Sequence, residues 1–144
     1  MEIAISEANI HELKDILALS RQLGPIDISL SQAKVIYEQA LSNKTLVQFT
    51  AKADGKIVGI VGLVLLPSFA LQGKPIGYIQ RLVVDKNFRR QGIGTKLVTH
   101  CINYARHHCY KIILHSKVQE AIRVYEKLGF KKHSQLFQID FRKS

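Results

Sequence analysis

The residues of this chain best suited to chemistry are Arg89-Arg90-Gln91-Gly92-Ile93-Gly94-Thr95, with Lys96 close behind. Glycine lets a backbone approach a ligand closely, because no Cβ stands in the way. The first turn of a helix has unpaired N–H groups and carries the positive end of the helix dipole. A basic stretch with two glycines at a helix start therefore suits an anion such as a phosphate or pyrophosphate. The glycines could also just mark a tight turn. They do not complete G-x-G-x-x-G, where Leu97 holds the third position, and no G-x-x-x-x-G-K-[ST] is present.

The elements that must position this loop are legible around it. Ile76 to Val84 is an apolar run that reads as a strand, and Gly92 to His108 is amphipathic. In the latter, Ile93, Leu97, Val98, Cys101, Ile102 and Ala105 form one helical stripe. Upstream, Glu2 to Ser6 alternates as a short strand. Asn9 can cap a helix whose apolar face is Ile10, Leu13, Ile16 and Leu17, extending to Leu23, with Gly24-Pro25 ending it. Ser31 is read as the cap of a second helix, with Ala33, Ile36, Tyr37, Ala40 and Leu41 on one side. Thr45 to Ala51 and Ile57 to Leu66 are strands joined at Asp54-Gly55, a strong hairpin signal. Lys111 to Leu114 is a short strand. A last helix turns Val118, Ala121, Ile122, Tyr125 and Leu128 inward and ends at Gly129. Ser134 to Phe141 alternates and is expected to close the sheet.

A hairpin implies antiparallel pairing, and a helix between two strands implies a parallel crossover. The fold class is therefore α/β (α+β), with a mixed central sheet and helices on both faces. With 144 residues, 47% hydrophobic and 22% charged, the chain is read as one domain over 1–144. It has no apolar run long enough for a membrane helix and no evident signal peptide. Its two cysteines, Cys101 and Cys109, suit a reducing cytoplasm. The formal charge of +10 favours anionic partners. The basic residues are dispersed, which reads as a solvated surface, so neither nucleic acid nor a membrane is expected as a partner. The histidines lack metal-ligand spacing, and no metal is expected.

R-x-x-G-x-G after a strand ending Leu82-x-Val84 resembles the acyl-CoA-binding motif of the GNAT superfamily of N-acetyltransferases. Ala121-Ile122-Arg123-Val124-Tyr125-Glu126-Lys127-Leu128-Gly129-Phe130 is similar to that family's A-I-x-x-Y-E-K-x-G-F helix and turn. These motifs cover roughly residues 76–130. The resemblance implies an enzyme that moves an acetyl group from acetyl-CoA to a primary amine by direct attack, without a metal. Backbone amides from Arg90 through Thr95 would hold the pyrophosphate, with Arg89 supporting the loop or meeting phosphate. Leu82 and Val84 would pair with the pantetheine arm, and a backbone N–H near Leu82 or Val83 would receive the oxyanion. A β-bulge in this region would splay two parallel strands and admit the thioester. Tyr125 would protonate the departing thiolate, although a tyrosine on an apolar stripe is also an ordinary core residue. A homodimer is compatible with the family.

The resemblance leaves the general base open. Many family members have a glutamate on the strand before the loop, where this chain has Gln80 and Arg81, neither of them a base at neutral pH. Asp27 and Glu38 have no motif behind them. His115 could serve, or could be a solvated residue at a strand end. An amine of pKa near 8 is roughly 10% neutral at pH 7, whereas a lysine-like amine is well under ~0.1% neutral. A site lacking a clear base thus suits amino sugars, amino acids or N-terminal amines. Gly77-Tyr78-Ile79 and Cys109-Tyr110-Lys111-Ile112-Ile113-Leu114 also look like glucosamine-6-phosphate N-acetyltransferases. There Tyr110 and Lys111 would contact a sugar phosphate, making the small-molecule acceptor anionic. The same pair also reads as an ordinary strand start. A peptide or protein acetyltransferase and a non-catalytic acyl-CoA-binding module are the alternatives.

Overall fold

The computed structural model describes residues 2–133 and 135–142. Five strands lie in the order β1-β2-β3-β4-β5. They are β1 (Ile3–Glu7), β2 (Leu46–Ala53), β3 (Lys56–Leu66), β4 (Ile76–Val84) and β5 (Lys111–Ile113). The first four pair antiparallel, and β4 pairs parallel with β5. The hairpin between β2 and β3 turns on Asp54 and Gly55, with φ of +51° and +79°. Positive φ at both central residues is the two-residue turn whose twist matches that of paired strands.

Helices cover both faces. On one side lie α1 (Leu13–Ser20) and α2 (Leu30–Ser42), and on the other α3 (Ile93–His108) and α4 (Gln119–Lys127). The larger core joins the sheet to α3 through Phe49, Val61, Leu63, Ile79, Ile93, Leu97, Val98 and Cys101. Opposite it, Ile16 and Leu19 of α1 pack on Ile60 and Val83. Gly59 is a tight point of the α3 layer. A Cβ there would sit 3.0 Å from both Ile93 Cγ2 and Leu97 Cδ1. Overpacking a tight core costs about 1–3 kcal/mol. Gly59→Ala is therefore expected to lower the urea midpoint by that much stability at unchanged slope, and an unchanged midpoint would show that this layer yields.

Three expectations need correction. The cap of α2 is Ser29, not Ser31: its hydroxyl accepts from the Gln32 backbone N–H while Gln32 Oε1 accepts from the Ser29 N–H. A glutamine three residues on completes this reciprocal box, whereas Ser31 is followed at that distance by Lys34. The buried face of α2 is Ala33 and Tyr37, one turn apart, and Ile36 is 58% exposed. Nor does the alternating segment close the sheet. Ser134 lies outside the described residues, and residues 135–141 form no strand, with Leu136, Phe137, Ile139 and Phe141 exposed. Alternation makes a segment fit for a strand, but a strand also needs an edge to pair with. The edge strand β5 is only three residues long.

Candidate active site

The geometry of the site begins with one extra residue in β4. Ile60 pairs with Val83 and Gly62 with Gln80, so two steps along β3 match three along β4. Arg81 sits in this bulge with φ +54°, a left-handed conformation rare for a non-glycine residue. Its guanidinium Nη2 donates to the carbonyl oxygen of Ser20 at the end of α1, 3.2 Å away. The bulge changes which face each side chain meets. Ile79 belongs to the α3-side core, and so do Leu82 and Val84, while Val83 packs on α1. Without the extra residue, Ile79 and Val83 would share a face.

The pairing of β4 with β5 stops at Tyr78 and Ile113. From Ile79 onward, among the described residues, β4 has no strand partner on that side. The two parallel strands therefore part and leave a backbone edge open to an extended ligand, which can pair with it as an added strand.

At the far end of this edge, Leu82 and Val84 join Phe88, Arg89, Arg90, Gly92, Ile93, Gly94, Thr95, Val98, Ala121, Val124 and Tyr125 around a cavity of about 290 Å³. Arg89 supports the loop, its Nε donating to the Val84 carbonyl oxygen at 3.1 Å. Arg90 and Gly92 take left-handed φ of +63° and +79°. Gly92 is the N-cap of α3, and the first turn contains no acidic residue. The Lys96 N–H bonds back to the Gly92 carbonyl. That bond begins the helical ladder and leaves the preceding first-turn N–H groups outside it, beside the cavity that Gly92, Ile93, Gly94 and Thr95 line. A Cβ at Gly92 would meet nothing within 4 Å, and one at Gly94 would meet only Val84 Cγ2, at 3.7 Å. The space beside these two backbones is room that a ligand can use. Basic loop, free amides and apolar walls suit a molecule with a phosphate end and an extended apolar-amide arm.

Tyr125 comes into the same cavity from α4. Its ring meets Phe130 edge-on, with centroids 5.9 Å apart. Burial pushes its phenol pKa above the usual value near 10, so the hydroxyl keeps its proton throughout the neutral range. Burial also raises both thiols, Cys101 to about 12, and this makes thiolate chemistry at these core positions unfavourable.

Residues 11–130 match the acetyltransferase (GNAT) family. The chain belongs to that family. Over 93 residues it is 36% identical to the glucosamine 6-phosphate N-acetyltransferase of Trypanosoma brucei brucei, covering 64% of this chain and 63% of that one. Over 120 residues it is 32% identical to N-alpha-acetyltransferase 60 of Xenopus tropicalis, covering 69% of this chain and 49% of the relative. The chain thus spans about half to somewhat under two thirds of the length of these curated relatives. The crystal structure of a Trypanosoma brucei acetyltransferase superposes with a TM-score of 0.85 at 28% identity, over 97% of this chain and 100% of that one. The mixed sheet with helices on both faces is the fold of this GNAT-family chain. No helix of the described residues is long and apolar enough to cross a membrane.

Within this acetyltransferase-family fold, the sequence-predicted residues do not all meet. Gln91 is exposed and does not line the cavity. The Val83 side chain is buried against α1, so only its backbone is available to the site. Gln80 is exposed on β4, and the Arg81 side chain is held by Ser20. Tyr110 and Lys111 stand at the opposite end of β4 from the cavity. The Tyr110 N–H donates to Pro75, and Lys111 pairs with Ile76. Sequence reasoning placed no function on Tyr78, whose hydroxyl lies 3.1 Å from His115 Nδ1.

Proposed function

We propose that this chain is an acetyl-CoA-dependent N-acetyltransferase acting on a primary amine of a small molecule, of the amino sugar phosphate or amino acid type. The convergence of the α3 N-terminus, the open β4 edge and Tyr125 on one cavity carries this reading. The pyrophosphate would lie on the amides from Arg90 to Thr95, with the pantetheine arm along Leu82 to Val84. The acetyl carbonyl would then reach the gap between β4 and β5. There the amine attacks directly, a backbone N–H near Leu82 or Val83 receives the developing oxyanion, and Tyr125 gives its proton to the departing sulfur. A preorganised donor of this kind is worth roughly 2.7–4 kcal/mol of barrier where it has been measured. One domain over 1–144, a cytoplasmic location and a small anionic acceptor belong to the same reading, as does a homodimer.

A peptide N-terminal amine is the second reading, favoured by the likeness to N-alpha-acetyltransferase 60. Both acceptors are low-pKa amines. CoA-thiol release should be followed over a panel of glucosamine 6-phosphate, amino acids, polyamines, lysine peptides and peptides with a free N-terminal amine. Turnover is expected with the low-pKa amines, and with sugar phosphate ahead of peptide. Faster turnover of lysine side chains than of every low-pKa amine would overturn the acceptor class. Acetyl-CoA binding with silence across the panel would favour a non-catalytic acyl-CoA-binding module.

A further inference from the structure

The loop that joins β3 to β4 leaves apolar side chains in solvent. Phe69 is fully exposed and Leu71 is 64% exposed. The loop is nevertheless bonded into one shape. The Ala70 N–H donates to Ser68 Oγ at 3.1 Å, the Gly73 N–H to the Ala70 carbonyl at 3.0 Å, and the Lys74 N–H to the Leu71 carbonyl at 3.2 Å. Leu71 and Gln72 take left-handed φ of +37° and +62°. Strain of this kind in non-glycine residues persists only where the surroundings hold it, and it gathers at places with a function. The same end of the sheet is basic. The Leu65 N–H donates to the Thr45 carbonyl, beside Lys44, and the Tyr110 N–H donates to the Pro75 carbonyl, beside Lys74. Lys111 pairs with Ile76, and the last turn of α3 carries Arg106, His107 and His108 to this end. Residues 43–45, 66–76 and 106–111 contain Lys44, Lys74, Arg106 and Lys111 and no aspartate or glutamate. The sequence disperses these cations and gives no reason to expect a membrane partner; the fold gathers them around an apolar tip.

We infer that this end of the molecule docks reversibly on a membrane surface rich in anionic lipid. Phe69 and Leu71 enter the boundary between headgroups and acyl chains, while the four cations meet the anionic headgroups. Reversible interfacial binding needs both parts, a buried apolar area and an attraction to anionic lipid. Such a contact requires no spanning helix. A nucleic acid would use the cations and could stack a base on Phe69, but Leu71 offers no ring for stacking. A lipid surface uses both side chains. Docking in this orientation also leaves the donor cavity free. Val84, which lines it, is eight residues along β4 from Ile76, roughly 25 Å away at the rise of an extended strand.

The test is co-sedimentation of the full chain with vesicles of phosphatidylcholine alone and of an equal mixture of phosphatidylcholine and phosphatidylserine. Wild type should bind the mixed vesicles, more weakly as salt rises, and should leave the neutral ones in suspension. Phe69→Ser combined with Leu71→Ser should weaken that binding at least about tenfold. Lys44→Gln combined with Lys74→Gln should weaken it about 25-fold, at about fivefold for each cation, and reduce its salt dependence. Thermal midpoint, acetyl-CoA affinity and turnover of soluble amines should hold in both variants, whose changes lie at the far end of β4 from the cavity. The chain has no tryptophan, so Phe69→Trp gives a single reporter independent of the other variants. Its emission should shift to the blue on mixed vesicles only. Wild type that ignores mixed vesicles overturns the inference. So does full binding by the double serine variant with no blue shift from Phe69→Trp, which marks adsorption by charge alone. Tighter binding to a short RNA than to mixed vesicles overturns it in favour of nucleic acid, and a dimer that the double serine variant splits assigns the tip to a second copy. Docking without turnover of any amine would count against the transferase reading alone, and turnover without docking against this inference alone.

Discussion

Tyr125→Phe should lower kcat by about 10²–10⁴-fold while acetyl-CoA binds as before, because general acid help is of that size and only one oxygen is lost. The aromatic ring keeps its edge-on contact with Phe130 and its place in the cavity wall, so fold and donor site have no reason to change. The raised phenol pKa gives the acid role a further signature. A proton donor is useful only while it is protonated. With its phenol pKa pushed up by burial, Tyr125 stays protonated across the neutral range, so it should introduce no alkaline fall in kcat there. Single-turnover rates and calorimetric binding separate the two quantities. A loss below threefold with intact binding would return Tyr125 to the role of a core tyrosine.

The two glycines of the loop should respond in opposite ways to the same added methyl group. Gly94→Ala meets only an ordinary contact with Val84 in the free protein. Inside a helix, alanine is favoured over glycine by about 0.5–1 kcal/mol, so the thermal midpoint should hold or rise. Acetyl-CoA affinity should nevertheless fall roughly ten- to hundredfold. The methyl keeps the pyrophosphate from backbone N–H groups whose charge-assisted bonds contribute about 1.5–3 kcal/mol each. Gly92→Ala also has open space around it, but its φ of +79° is unfavourable for any residue with a Cβ. It should cost about 1–2 kcal/mol of stability. Unfolding curves and titration calorimetry on both variants provide the check. A Gly94→Ala protein that binds acetyl-CoA at wild-type strength would remove the pyrophosphate from this loop.

Much of this was written locally. The Asp54-Gly55 turn, the stripe of α3 and the positive φ at Gly129 each follow from a few adjacent residues. What was not legible depends on distant partners. The bulge is centred on Arg81, and no glycine announces it; Arg81 holds its left-handed backbone while bonded to Ser20, far away in sequence. His115 stands out in the sequence as a candidate base, but Tyr78 looks unremarkable until two parallel strands bring the two within a hydrogen bond. Residues 135–141 show the converse case, a strand-like pattern that forms no strand. Ser29 was within reach, since Gln32 follows it at capping-box spacing, but Ser31 was the nearer candidate to the apolar run.

The extra residue at Arg81 also resets the alternation of a single strand. Upstream of it, Ile79 faces the α3 layer; downstream, Leu82 and Val84 face that layer while Val83 packs on α1. Substitutions at Val83 and at Leu82 or Val84 are therefore felt by different layers, although the positions are adjacent. One face of the strand can change its shape and polarity without disturbing the packing of the other. Such independence between faces suits a family whose members carry names as different as glucosamine 6-phosphate N-acetyltransferase and N-alpha-acetyltransferase 60.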